Sequence, residues 1–280
     1  MTPRVSVVIP AYNNAEYIVE TMESVLAQDY HDLEVIVSDH SSTDATADLL
    51  ARYADHPKVR VLSTEAGGGA LRNWNRVSQE AGGELVKLVC GDDLLEPTAL
   101  SEQVAAFDNH PSAVLVAAQR DIVDHHGVHV VKKRGLAGLH GLVDGRVAAR
   151  RTILVGSNIF GEPACVLLRR DVLEKVGWWR NDHPFVIDEA TYIAVMLHGD
   201  VVALPRSLAS FRISAKQWSV ALVKEQAEQA RGMHRALRAA EPTLLSARDV
   251  RIGNARVALM AFIRRMTYLW LRHRMGGDVR

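Results

Sequence analysis

The chain has 280 residues, 24% of them charged, and a formal net charge of zero. That length accommodates one large α/β domain, or one domain with a helical appendage, while the neutral balance excludes a general electrostatic pull towards nucleic acid or an anionic membrane. Only Cys90 and Cys165 occur, outside any CxxC or Cys/His cluster, which excludes a disulfide framework and a structural zinc site and fits a reducing cytoplasm.

Val5 to Ile9 is a short β-branched run ended by Pro10 and Asn13–Asn14, far shorter than a signal-peptide core, and reads as a buried strand entering a loop. A helix follows from about Glu16 to Gln28. Leu33 to Ser38 is a second strand, after which DHSSTDATADLLARYA supplies capping groups and a helical pattern. Val59 to Ser63 is a third strand, followed by a glycine loop at Gly67 to Gly69, a helix through about Glu80, a Gly82–Gly83 stop and the strand Leu85 to Cys90. Strands alternating with helices at this spacing predict a mostly parallel sheet with helices on both faces. Ligands bind such sheets beyond the carboxyl ends of the strands. Tyr12 and Asn13, Asp39 to Ser42, Glu65 to Gly69, and Gly91 to Asp93 all fall there, so four loops can line one pocket.

Beyond Pro97 the pattern gives a helix to about Asn109 and a strand at Ala113 to Ala118, then an irregular stretch to Gly161 that reads as a functional or mobile region. Pro163 to Leu168 reads as a strand, Asp171 to Val176 as a short helix, and Asp188 to His198 as a helix stopped by Gly199; Val201 to Leu204 and Ala209 to Ile213 close the sheet. From Val220 the chain is helical, with a break near Glu241–Pro242. No segment reaches the roughly 18 uninterrupted apolar residues of a membrane span. Residues 221–280 carry 12 Lys or Arg against 5 Asp or Glu. The basic, partly aromatic run at 250–274 fits either a helix packed on the domain or on a second copy of the chain, or one lying on an anionic membrane.

The segment LVKLVCGDDLLEP sets Asp92 and Asp93 just past a buried strand, in a turn that Gly91 permits. Adjacent carboxylates cap helices or sit in solvated turns, and they also hold hard divalent cations together with substrate phosphates. VSVVIPAYNNAEYIVETMESVLAQDYHDLEVIVSDHSSTDAT, followed in order by GGGALRNWNRVSQEAGGELVKLVCGDDLLEP, resembles the family 2 glycosyltransferases of the GT-A fold over about residues 4–110. VGWW at 176–179, IDEATYIAVMLHGD at 187–200 and LPRSLASFRIS at 204–214 add downstream matches.

The resemblance implies an inverting transferase acting on a nucleotide-diphosphate sugar, with a glycan, lipid-linked or other hydroxyl acceptor and Mn²⁺ or Mg²⁺ as cofactor. Residues 1–219 would be the catalytic domain, 1–110 its nucleotide-sugar-binding half and 111–219 its acceptor half, with 220–280 a C-terminal helical extension. Pro10 and Tyr12 would contact the donor nucleotide, Asp39 and His40 its base or ribose, and Arg72 the nucleotide or its phosphates. Asp92 and Asp93 would jointly hold the metal, as a shortened form of the DSDD seen in relatives, whose first acid is replaced by Cys90. Asp188 would be the general base, with Glu189 as the reserve. The late histidine of many relatives is replaced by Ser214, leaving Arg212, Lys216 or Gln217 as unassigned helpers. The protein is expected in the cytoplasm, soluble or peripheral at the inner membrane face, with no nucleic-acid partner. Competing readings are a catalytically silent sensor of nucleotide sugar and, last, a dinucleotide oxidoreductase, which would need a GxGxxG where PAYNN stands.

Overall fold

The computed structural model describes residues 2–180, 182–213 and 225–275, with side chains as far as residue 263 in the last segment. Four strands, β1 (Val5–Ala11), β2 (Leu33–Asp39), β3 (Val59–Ser63) and β4 (Leu85–Leu88), pair in parallel in the order β3-β2-β1-β4. Every residue of β1 is buried, as expected of the central strand of a sheet covered on both faces. The intervening helices are α1 (Ile18–Leu26), α2 (Thr46–Ala51) and α3 (Gly69–Gln79). The helices and β4 are shorter than expected by a residue or two, the usual fraying of ends, whereas β1 does not stop at Pro10 but runs on to Ala11, and β2 runs to Asp39, with Pro10 paired to Ser38 and Ala11 to Asp39.

The second half is organised by two long strands, β6 (Ala113–Val123) and β10 (Asp200–Arg212), which pair in parallel along their length. Antiparallel β9 (Val166–Arg169) inserts between β4 and the start of β6, while β7 (His129–Arg134) pairs with the end of β6. In the same way β8 (Gly141–Val143) pairs with the start of β10, and the two-residue β5 (Leu94–Leu95) pairs with its end. The expected pair of closing strands is therefore one strand. Its register shifts between Leu204 and Ala209, around Pro205, which has no N–H to give to the ladder. Beyond that irregularity the end of β10 runs beside β5, immediately after the acidic pair.

Residues 119–162 are more regular than their composition implies. They contain β7, β8 and a full helix, α5 (Gly145–Val155), between α4 (Ala99–Asn109) and the short α6 (Arg170–Lys175). Asp144 caps α5 by accepting from the Val147 N–H at 2.9 Å, and Gly156 ends it in the left-handed region. Next come α7 (Ile187–Met196) and the C-terminal helices α8 (Gln226–Ala240) and α9 (Ala247–Met275). The start of α9 docks on α5: Arg150 meets Asp249 at 2.8 Å, and Cβ atoms built on Gly156 and Gly253 would fall 2.7 Å from Val257 N and 2.6 Å from Ile153 O. Leu259 and Phe262, further along α9, are exposed. Among the described residues no helix is long and apolar enough to cross a membrane.

The VGWW segment is a structural pin. Trp179 donates from Nε1 to Ser78 Oγ of α3 at 2.8 Å, its backbone exchanges hydrogen bonds with the Asn75 amide, and its ring meets Trp74 and Tyr192 edge-on. Arg180 N–H then donates to Thr191 Oγ1 at 3.2 Å, so a single turn couples α3 to α7. At the start of α5, a Cβ on Gly145 would sit 2.0 Å from the Met196 carbonyl and 2.1 Å from that of Gly199. Gly145→Ala should therefore cost about 1–3 kcal/mol through overpacking, read as a lower urea midpoint with unchanged slope. Wild-type stability would contradict this docking of α5 on the end of α7.

Candidate active site

The loops that leave β1 and β2 are interlocked. Asn13, held at φ 51°, donates its N–H to Ser42 Oγ at 2.9 Å and accepts from the Thr43 N–H at 2.8 Å; Asn14 N–H donates to Thr46 Oγ1 at 2.8 Å. The Asn14 carboxamide oxygen accepts from the Tyr12 N–H and occupies the space beside Gly91, where a Cβ would lie 2.6 Å from it. Gly91 thus admits the first loop against the fourth. Pro10 is buried at the end of β1, whereas the Tyr12 side chain is exposed and sets its ring edge-on to His40, centroids 6.1 Å apart.

Asp39 accepts from the Ser42 N–H through Oδ2, while its Oδ1 is buried with no hydrogen-bond partner among the described residues. His40 is buried and its Nε2 lies 2.9 Å from the Gly67 carbonyl, which fixes Nε2 as the protonated nitrogen and ties the second loop to the third. Gly67, Gly68 and Gly69 all have positive φ, and a Cβ on Gly68 would strike the Arg72 side chain at 2.9 Å. These glycines form a left-handed turn that opens α3. Arg72 is exposed and its guanidinium meets Glu65 at 2.9 Å and the Ala66 carbonyl at 3.0 Å, on an open groove of about 580 Å³ with Ser63, Thr64 and Asn75. Its neighbour Asn73, unnoticed in the sequence, is buried and donates to the carbonyls of Ser38 and Ala11 while accepting from Thr64 Oγ1. One amide thereby sews together the ends of three strands.

Asp93 is buried. Its Oδ1 accepts from the Arg212 N–H at 3.3 Å, and its Oδ2 has no hydrogen-bond partner among the described residues. Burial, then the charges of Asp92 and Glu162, push its carboxyl well above the ordinary carboxylate range. Arg212 is itself buried, and it reaches the Asp92 carbonyl (3.2 Å), the His125 carbonyl (3.3 Å) and Glu20 (2.6 Å), with its guanidinium over the Tyr17 ring. The residue named in the sequence as an unassigned helper is thus the clasp of the acidic turn. Ser214, Lys216 and Gln217 lie outside the described residues.

Asp188 lies in the first turn of α7, where it does not cap the helix: Val186 is the N-cap. Its Oδ1 accepts from the Glu189 N–H and its Oδ2 from Asn158 Nδ2, each at 2.8 Å. Burial is the leading cause that pushes its carboxyl up to about 6. Glu189, the reserve candidate, is buried. Glu162 acts electrostatically on both Asp93 and Asp188 and is ion-paired with the buried Arg120. Neither Glu162 nor Arg120 was marked by the sequence, where Glu162 falls between the irregular stretch to Gly161 and the strand expected from Pro163.

A mostly parallel sheet with polar loops at its strands' carboxyl ends, one of them bearing the buried Asp93 beside the half-buried Asp92, defines an α/β protein of the GT-A type. The model of the family Glycosyl transferase family 2 matches residues 6–177, and the chain belongs to that family. A protein of Mycobacterium tuberculosis (strain CDC 1551 / Oshkosh), described as uncharacterized, is 30% identical over 220 residues, 76% of this chain and 68% of that one. The poly(ribitol-phosphate) beta-N-acetylglucosaminyltransferase TarS of Staphylococcus aureus (strain Mu50 / ATCC 700699) is 32% identical over 120 residues, 42% of this chain but 21% of TarS. The structure of TarS residues 1–349 with UDP-GlcNAc superposes with a TM-score of 0.71 at 20% identity, covering 91% of this chain and 71% of that one. The mannosyltransferase PcManGT from Pyrobaculum calidifontis, in complex with GDP-Man and Mn²⁺, gives 0.64 at 21% identity, covering 97% and 81%. Both share the fold.

The raised carboxyl of Asp93 has a stability consequence. Its folded pKa lies above the unfolded value, so its contribution to stability is greatest below the ordinary carboxylate range and falls as pH rises towards the raised value. Asp93→Asn removes the buried charge and keeps an oxygen for the Arg212 N–H. In EDTA the variant should melt higher than wild type at pH 8, with the gap narrowing towards acid. A lower midpoint at every pH would contradict the burial of a charge-bearing group.

Proposed function

We propose that the chain is an inverting glycosyltransferase that moves a sugar from a nucleotide-diphosphate donor to a hydroxyl acceptor, with a divalent cation at Asp92 and Asp93 and Asp188 as general base. The observation that carries the reading is the buried Asp93 after β4, one oxygen of which has no hydrogen-bond partner among the described residues, together with the separately held carboxylate of Asp188 on α7. These residues fit Mn²⁺ or Mg²⁺. Among the described residues no group of three or more His, Cys, Asp or Glu is arranged to hold a metal, which suits an ion bound by one or two carboxylates and completed by donor phosphates. When bound, the cation would neutralise charge on the departing diphosphate.

The chain's own residues do the rest. Tyr12 offers an exposed ring to flank the base, and Asp39 Oδ1, without a hydrogen-bond partner among the described residues, accepts from a base or ribose donor. Arg72 turns from the exposed Glu65 to the phosphates, a guanidinium being suited to both partners. Asp188 is ionised at neutral pH, with a pKa near enough to 7 to take the acceptor's proton as the new bond forms. The TarS and PcManGT structures are complexes with UDP-GlcNAc and with GDP-Man, and a donor of that general class, with a glycan, lipid-linked or other hydroxyl acceptor, is the proposed substrate pair. A cytoplasmic protein is part of the proposal, in which the basic α9, with Leu259 and Phe262 exposed, would be its contact with the inner membrane face or with a second copy.

Turnover of a panel of UDP, GDP and dTDP sugars with Mn²⁺ tests the reading. Asp188→Asn should lower kcat by about 10²–10⁴-fold with the donor KM retained. The wild-type kcat/KM should rise with pH through about 6, as the base loses its proton, and this limb should be absent in the variant. Unchanged kcat in Asp188→Asn would move the base elsewhere, and no metal-dependent turnover with any donor would favour the silent sensor.

A further inference from the structure

The Asp188 carboxylate is held from outside its own helix by a short segment ahead of β9. Asn158 is fully engaged there. Its Nδ2 donates to Asp188 Oδ2 and to the Gly161 carbonyl, each at 2.8 Å, and its Oδ1 accepts from the N–H groups of Phe160 (3.0 Å) and Gly161 (3.2 Å). Both amide hydrogens and both lone pairs are thereby used, so the amide cannot flip without breaking four bonds. The turn is anchored in its own right. Gly161 sits at φ 83° and a Cβ there would fall 2.6 Å from Arg120 Nη1, so only glycine fits, and the next residue, Glu162, meets the same guanidinium, with Nη2 donating to Oε1 at 3.2 Å. Arg120 is buried on β6, a strand held between β9 and β10.

We infer that Asn158 is a positioning residue for Asp188, and that the Arg120–Glu162 pair braces the turn carrying it while setting the charge that Asp188 experiences. The inference rests on the reading of Asp188 as the base. The two side chains act on that carboxylate in opposite senses. Asn158 donates to the ionised form and favours it, whereas the Glu162 carboxylate is a like charge and disfavours it. The other titratable groups that face Asp188 are Arg120 from β6, Cys90 after β4 and Tyr192 on its own helix. Neither substitution below removes any of them. A support that only filled space would have no such opposed signs.

The experiment uses the full chain and two variants, Asn158→Ala and Glu162→Gln, with Asn158→Ser as a second amide deletion should the alanine variant fold poorly. The Asp188 carboxyl is titrated by carbon-detected NMR, assigned through Asp188→Asn, and kcat, KM and the acidic limb of kcat/KM are measured alongside. Losing the Asn158 bond should move the Asp188 midpoint to higher pH and lower kcat roughly ten- to a hundredfold, the scale of one hydrogen bond to a charged group, with the donor KM unchanged. Glu162→Gln should move the midpoint to lower pH. Midpoints that stay in place, or shift in the same direction in both variants, overturn the positioning role. Midpoints that shift in opposite directions while the kinetic limb stays fixed uphold it and instead overturn Asp188 as the base.

Discussion

The site depends on a buried carboxylate held by a backbone contact. Asp93 takes the Arg212 N–H, while the Arg212 guanidinium is drawn to Glu20 and to the carbonyls of Asp92 and His125. Arg212 therefore fixes the position of the acidic turn through contacts that, among the described residues, leave Asp93 Oδ2 without a hydrogen-bond partner. A direct guanidinium–carboxylate pair would have stabilised the empty fold more, by removing an uncompensated buried charge. The arrangement found leaves that oxygen available to a cation. It accepts a less stable fold as the cost of a buried carboxyl whose charge is disfavoured until a cation joins it, as binding and catalytic sites commonly do.

The rest of the architecture brings that clasp into place. Arg212 can reach Glu20 because β10, after its irregularity at Pro205, continues beside β5 and ends at the acidic turn. Arg120 lies on the equivalent stretch of β6, so the two paired long strands deliver one buried arginine each, Arg212 to the Asp92–Asp93 turn and Arg120 to Glu162. At the other end of the site, Asn73 joins the ends of β1, β2 and β3, and the Trp179 turn couples α3 to α7. Donor loops and the proposed base are thus parts of one framework, which suits chemistry that needs donor and acceptor fixed at contact distance.

The first half of the fold was legible because its signals are local. A β-branched run and a glycine stop each act within a few residues, and spacing placed the polar loops at the strand ends, while the roles of their carboxylates came from the family resemblance; the proline and serine signals misled, since Pro10 pairs within β1 and α2 has no side-chain cap. Partners brought together from afar could not. Arg212 and Glu20 are 192 residues apart, and Asn158 meets Asp188 across 30. Glu162 looks like an ordinary turn residue until β6 places Arg120 behind it. The stretch 119–162 was misread for a related reason: its many Gly and His residues outweighed the Asp144 cap and the Gly156 stop, which together specify α5. His40 and the three glycines were likewise marked by sequence, yet their mutual role, a hydrogen bond fixing a left-handed turn, belongs to the fold.

The central claim is that Asp93 keeps an oxygen free for a cation that is completed by a donor diphosphate. Mn²⁺ titration followed by electron paramagnetic resonance, with and without UDP or GDP, measures this directly and needs no acceptor. Weak Mn²⁺ binding by the protein alone, strengthened many-fold by one of the diphosphates and lost in Asp93→Ala, is the expected result. Equal Mn²⁺ binding in wild type and Asp93→Ala, or diphosphate binding indifferent to metal, would contradict it.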